Sequence, residues 1–408
     1  MATTPAQGLF KQTIVGKQVA LGTPKTGAGG QVLRRKSSVF SASKDTSTND
    51  EIVSHRQSTG ITYGQKKASG KIDGNLSAGT YPLLVAAALM QDFAAVTPYA
   101  AGIDVTASAT APHFMDASGG FLTAGLKVGM VGRWTGFAGG GATNNNARNF
   151  WITALTATQM TGIFLDGTAV TADAAGDAVT FTVVGKVAKV PLTGHTNDFF
   201  TFEEWYSDKS VSEVYPDCKV NQVSIGLPSA GPATASFDIL GAGTRTLAGA
   251  QSFTSPTAET TSDVLQALNG SIYMNGVLVD YVTSVTLTID RGLSPVGASI
   301  GSNISPDMNQ GKIKVSGSFT SMFNTSTLMA LFDAETAVSL NVVAAVDRSA
   351  TSDFWGCTMG KVKLTGDAPD DGEKVIMRTY PFTAEINGAG GAALAWDQTI
   401  CMVQDSLA

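Results

Sequence analysis

A mainly β fold is expected, built as two tandem copies of one strand and helix unit, the first interrupted by a small inserted β-domain. Three observations predict it. Only 15% of the 408 residues are charged while 45 are glycine, a composition that suits many short strands and turns. Several stretches alternate apolar and polar residues with period two. Two pairs of motifs also recur in the same order along the chain.

The chain is too long for one core, so two or three domains are expected. Residues 1–30 read as an N-terminal arm, 27–30 and 41–50 as loops, and 32–40 as a strand between them. Residues 81–90 form a short apolar helix with Pro82 in its first turn, where a missing N–H costs nothing. From 101 to 190 the character changes: Val179 to Val184 alternates cleanly, 150–155 and 163–165 supply further strands, and Gly139 to Asn146 and Asp166-Gly167 are turns.

The repeat places this block as an insert. Lys71-Ile-Asp-Gly-Asn-Leu-Ser77 matches Lys314-Val-Ser-Gly-Ser-Phe-Thr320 in residue type, with Gly74 on Gly317, and each leads into an apolar helical run. Later, residues 218–227 match 357–366, with Val223 and Ile225 on Val362 and Leu364. The first copy is therefore 31–100 plus 191–248, around an insert at 101–190. The second is 271–387, with a linker at 249–270 and a C-terminal arm at 388–408. Within the copies Val285, Leu287 and Ile289 face one way and Ser284, Thr286, Thr288 and Asp290 the other. One face packs, and the other is wet and rich in hydroxyls.

The net charge of -6 is unevenly distributed. Residues 1–100 carry 11 basic and 5 acidic side chains, 101–190 carry 5 of each, and 191–408 carry 11 and 23. Such segregation suits surfaces that face different partners. The cluster Arg34, Arg35 and Lys36, with Lys44 and Arg56, reads as a cationic face for a protein neighbour, and Arg291 and Asp307 join it as candidate assembly contacts.

Chemistry is not found. His55, His113 and His195 show no ligand spacing, and Cys218, Cys357 and Cys401 no metal or disulfide pattern, which points to a reducing compartment. Residues 64–72 miss the phosphate-loop spacing by one and lack its hydroxyl. The acidic run 367–373 has the wrong spacing for calcium and reads as a solvated hairpin. No catalytic residue, cofactor or metal is assigned. No signal peptide or membrane span is read, so synthesis in the cytoplasm is expected.

The arrangement resembles the major tail tube proteins of long-tailed, siphovirus-like bacteriophages. The carrying residues are the Val32-Leu-Arg-Arg-Lys36 strand, the strand reaching Gly70 to Ser77, the 81–90 helix, the insert, Phe200-Thr-Phe-Glu-Glu204 and the strand pair 220–227 and 234–240. They recur as 271–290, 311–320, the helix near Leu328 and the 361–385 hairpin. The resemblance implies two β-sandwich or barrel domains, each with one flanking helix, and an inserted β-domain that faces outward. It further implies rings that stack into the tail tube of a virion, through which double-stranded DNA passes into the host, with tape-measure, terminator and initiator proteins as partners. Two fused units imply a ring of three chains with pseudo-sixfold symmetry; a six-copy ring is the alternative. Twenty-four strands ~4.8 Å apart and tilted ~45° give a backbone diameter of roughly 50 Å. Residues 37–50 and 291–310 are the candidate ring-to-ring contacts. A second reading is a β-sandwich carbohydrate-binding or adhesin protein, with Trp134, Trp151, Asn144, Asn145 and Asn146 as the binding surface of the insert.

Overall fold

The computed structural model describes residues 5–408 apart from 59, 111, 371 and 372. Its framework is one run of antiparallel strands: β1 (Ser37–Thr48), β2 (Ile61–Asn75), β3 (Val211–Pro228), β4 (Thr234–Gly241), β5 (Val282–Asp290), β6 (Lys314–Met322), β7 (Phe354–Leu364) and β8 (Met377–Ala384). Their order in space is 1-2-4-3 followed by 5-6-8-7. The same order thus appears twice, and the two groups join where β3 pairs with β5 from Gln222–Asp290 to Pro228–Ser284.

Period-two patterning explains which side is buried. Val223, Ile225 and Leu227 of β3, Ala235, Phe237 and Ile239 of β4, and Val285, Leu287 and Ile289 of β5 lie in one core, while the residues between them stay wet. β3 and β7 are long because each bends out of this sheet. The first half of β3 pairs with Phe200–Tyr206, and that of β7 with Val338–Ala345 and Met402–Asp405. α1 (Pro82–Leu89) starts on a proline that needs no N–H partner and stops at Met90 in the left-handed region. Its residues Leu84 to Leu89 are buried. α2 (Thr327–Asp333) occupies the matching place after β6 and has no buried residue.

A separate seven-stranded sheet is made from strands between Tyr99 and Val183, around Phe114, Trp134, Phe150, Phe164 and Phe181. It is held firmly. The Gln404 side chain accepts from the Val131 N–H and donates to the Val131 and Val184 carbonyls. The Lys127 ammonium donates to the carbonyls of Gly391, Ala392 and Leu394 at 3.0, 2.7 and 2.7 Å.

Several local expectations change. Residues 27–30 and 41–48 are strand, because Gly27–Val32 runs beside Phe253–Thr257 and β1 continues to Thr48 against β2. Their polarity reflects two exposed faces, not missing ladder partners. The 32–40 strand is broken at residues 33–36. The segments read as arms and linker are woven in as well: Lys11–Lys17 pairs with Phe200–Tyr206, Phe253–Thr257 runs parallel to Gly27–Val32, and Met402–Asp405 lies between Lys186–Lys189 and β7. Backbone pairing with distant segments overrides their weak apolar patterns.

Candidate functional site

The most distinctive surface is the wet face of the eight strands. Ser37, Asp73, Ser236, Ser224, Thr288, Ser316, Thr383 and Lys363 stand opposite one another in a single row that crosses all eight. Hydroxyl pairs tie neighbouring strands together: Ser41 with Ser69 at 3.0 Å, Ser224 with Thr288 at 3.2 Å, Thr286 with Ser318 at 2.9 Å and Thr320 with Thr379 at 2.9 Å. Each hydroxyl is both donor and acceptor, so the face holds itself together with little charge.

Three lysines on this face sit beside carboxylates, while Lys363 at its edge is exposed. Lys71 lies 3.8 Å from Asp73, Lys361 lies 2.8 Å from Glu385, and Lys314 stands opposite Asp290. Burial works against ionisation of Asp73, yet hydrogen bonds from Ser236 and Ser37 and the Lys71 charge hold its carboxyl below the usual range. The Lys361 hydrogen bond holds Glu385 below it too. The face is close to neutral, not acidic.

The run of strands ends at two open edges. Among the described residues β1 pairs with β2 alone, and Lys363 and Leu364 pair with β8 alone. Val39 on the first edge is 63% exposed. Exposed strand edges are templates for pairing with another chain.

The same ordered motifs, in one sheet with a hydroxyl face and two free edges, meet a direct comparison. The sequence profile described as phage tail tube protein matches residues 11–384. The chain belongs to the phage tail tube protein family. A search of curated proteins finds no match. Membership gives this tail tube protein a structural role in the virion tail, and its β-rich fold agrees. No helix among the described residues is long and apolar enough to cross a membrane.

The candidate residues in this tail tube protein fall into distinct places. Arg34 is half-buried and donates to the Ser262 carbonyl, and Arg35, also half-buried, donates to the Lys11 carbonyl. Lys36 and Arg56 are exposed, and the exposed Lys44 sits 5.1 Å from the Tyr63 ring centroid. Asp307 pairs at 3.2 Å with Lys219, whose side chain is buried and also lies over the Phe199 ring.

Arg291 does not reach an outer surface. It is 1% exposed and donates to the Val220 carbonyl, which closes the end of the β3·β5 pairing. Burial pulls its guanidinium down to about 10, opposed by the Asp198 charge. Residues 291–310 contain a short hairpin, Ser294–Pro295 with Met308–Asn309, instead of a plain loop.

The proposed sugar-binding surface of the insert is also corrected. Trp134 and Trp151 are fully buried, one among phenylalanines and the other against Tyr273. Asn145 is buried and exchanges hydrogen bonds with Thr171, and Asn146 does so with Phe137. Only Asn144 of the five is exposed. Indole rings near turns looked available because the sequence could not show that the sheet folds over them. In the acidic run 367–373, Asp367 pairs with Arg378, while Asp371 and Gly372 lie outside the described residues.

Sequence reading did not identify which strands form the edges, and it missed the Lys127 and Gln404 anchors. The only signal for them was the isolated polar residue in an otherwise apolar stretch.

Proposed function

We propose that three copies of the chain close into a ring of pseudo-sixfold symmetry, that rings stack into a tube, and that double-stranded DNA passes through it along the hydroxyl face. The observation that carries this reading is the β3·β5 pairing, where one four-strand group joins the next edge to edge in the same order. A contact of this head-to-tail kind forms a ring when its rotation closes. Three chains would supply six groups and twenty-four strands.

The near-neutral face supports passage of DNA. Each phosphate neutralised by a free lysine or arginine adds counterion-release affinity and hence drag. Here Lys71, Lys314 and Lys361 already face carboxylates.

The β1·β2 hairpin supports the stacking step. Val39 is level with Asp290, the last residue of β5, through Lys71, Asp238 and Gln222. β1 runs on to Thr48, nine residues further, or ~30 Å of extended chain. Ile52, Ile61 and Tyr63 lie exposed near its end. We assign this overhang, with residues 291–310 at its foot, to contact with the next ring.

Electron microscopy of the purified protein tests the reading. Open rings of three chains, and tubes made of them, are the expected result. Strictly monomeric particles, or six-chain rings, would overturn it.

A further inference from the structure

The root of the β1·β2 hairpin carries a cationic recess that neither the hydroxyl face nor the sheet edges use. Lys44 of β1 and Lys66 of β2 stand directly opposite each other in register. Both are in phase with Phe40, Ala68 and Ile72, which are buried, so their side chains leave the sheet on the core side, away from the hydroxyl row. Toward the hairpin tip no residue of β2 before Ala68 is buried, and the two lysines border solvent.

Like charges directly opposite on one face of a strand pair destabilise it. Here a third cation joins them. Arg245 and Thr244, in the loop after β4, line one recess of about 260 Å³ with Ser43, Lys44 and Lys66, and none of the residues that line it is acidic.

The backbone holds the three cations together. Gly243 has φ +105°, and a Cβ there would fall 2.3 Å from the Lys66 carbonyl oxygen. Glycine therefore lets the loop close onto β2 and bring Arg245 to the lysine pair. The Lys66 N–H in turn donates to the Asn303 carbonyl at 2.8 Å, which fixes this part of β2 against residues 291–310.

Nearby carboxylates are committed elsewhere. Asp45 pairs at 2.7 Å with Lys67, whose side chain leaves the opposite side of the strand. Glu213 lies 3.8 Å from Arg245 and already accepts from the Tyr215 hydroxyl at 2.7 Å. Among the described residues Lys66 makes no salt bridge, and Lys44 has the Tyr63 ring in place of a carboxylate.

We propose that this recess is an oxyanion site, which takes a phosphate group or a carboxylate between Lys44, Lys66 and Arg245. Either group presents several acceptor oxygens on one centre, so a single ligand accepts from more than one cation at once. Mutual repulsion then becomes a set of charge-assisted hydrogen bonds, and the planar guanidinium fork suits both groups. Chloride has no such geometry. On the reading above, DNA in the channel is not the source, because the recess opens on the side of the sheet opposite the hydroxyl row. Two sources share the chemistry: free phosphate, and a carboxylate of the neighbouring ring, since the recess lies at the end from which β1 overhangs. Only the second source rests on the stacking reading.

Inorganic phosphate is the probe. Calorimetric titration of the full chain at fixed ionic strength, with sodium chloride as the matched reference, is expected to show a site filled at roughly millimolar phosphate and not by chloride. Lys66→Gln should weaken it about tenfold through loss of one charge-assisted bond. Lys363→Gln, at an exposed lysine on the far edge, should leave it unchanged. Thermal midpoints give a readout of opposite sign. In chloride Lys66→Gln should hold or raise the midpoint by relieving repulsion, whereas phosphate should raise that of the unmodified chain more than that of the variant. Arg245→Gln repeats the comparison from the loop, outside the strand pair.

Tube growth separates the sources. Slower stacking in phosphate, and in Lys66→Gln, assigns the recess to a neighbour's carboxylate; stacking indifferent to both assigns it to a free oxyanion. Equal heats in phosphate and chloride, or variants that bind phosphate as tightly as the unmodified chain, would overturn the site. Absence of rings and tubes would overturn the stacking reading and leave the site standing.

Discussion

Ser224 and Thr288 share a hydrogen bond at 3.2 Å on the wet face, across the line where one group of four strands meets the next. The pair belongs to a row that continues in both directions to the sheet edges. A hydroxyl row gives the sheet cross-strand bonding with few cations.

Introducing cations into this row should convert a sliding surface into a binding one. Thr286→Lys with Ser318→Lys is expected to leave tube assembly intact, since Thr286 is exposed and Ser318 half-exposed beside it. Tubes of the variant should retain short duplex DNA at low salt and release it steeply as salt rises, with a log–log slope of about −0.9 per phosphate contacted. Filter binding against unmodified tubes, which should retain little, measures it.

Two strand glycines make room for aromatic side chains. A Cβ on Gly74 would meet the Tyr81 hydroxyl at 1.9 Å, and one on Gly317 would meet the Thr286 carbonyl at 2.1 Å and the Phe382 ring at 2.7 Å. Gly317→Ala is expected to cost about 1–3 kcal/mol through overpacking. Gly140→Ala, where a Cβ meets nothing within 4 Å, serves as control. Denaturation midpoints in urea compare them.

Lys127 ties the insert to the segment 391–394. Lys127→Met would leave three carbonyls without their shared donor, at ~1–3 kcal/mol for each one that water does not reach. The expected result is earlier thermal unfolding of the insert and faster proteolysis within residues 388–400, read by mass spectrometry of the fragments.

Asp405 should give stability a distinctive pH dependence. Burial pushes its carboxyl up to about 6, although N–H groups of Leu407 and Gly79 partly oppose the rise. Its folded value lies above the ordinary 3.8, so its contribution is full below pH ~4 and is lost as pH rises through ~6, on the order of 3 kcal/mol. Asp73 and Glu385, held low, act with the opposite sign at lower pH. The difference between the unmodified chain and Asp405→Asn, followed by urea midpoints from pH 4 to 8, isolates the effect.

The hairpin overhang can be removed without touching the core. Replacing residues 44–66 by a two-residue Asn-Gly turn between the opposed Ser43 and Lys67 should preserve rings while preventing tubes. Micrographs showing tubes of ordinary length would take the hairpin out of stacking.

The fold class, the alternating strand residues within 284–290, 311–320 and 234–240, the helix after Pro82 and the wet hydroxyl face were legible in sequence. Period-two alternation and proline placement are local and need no knowledge of neighbours. Arg291 was misread because a cation beside a loop looks the same whether it meets water or the Val220 carbonyl. Trp134 and Trp151 were misread because their burial depends on strands that arrive from elsewhere in the chain.

By itself the sequence determined that this chain makes half-wet antiparallel strands of low charge, since side-chain alternation fixes which face can be buried. The tertiary structure alone decided that the two groups of four strands join edge to edge through β3 and β5 and that the terminal segments are strands. These depend on register between distant backbones, and backbone hydrogen bonds carry no residue-specific signature for a sequence to display.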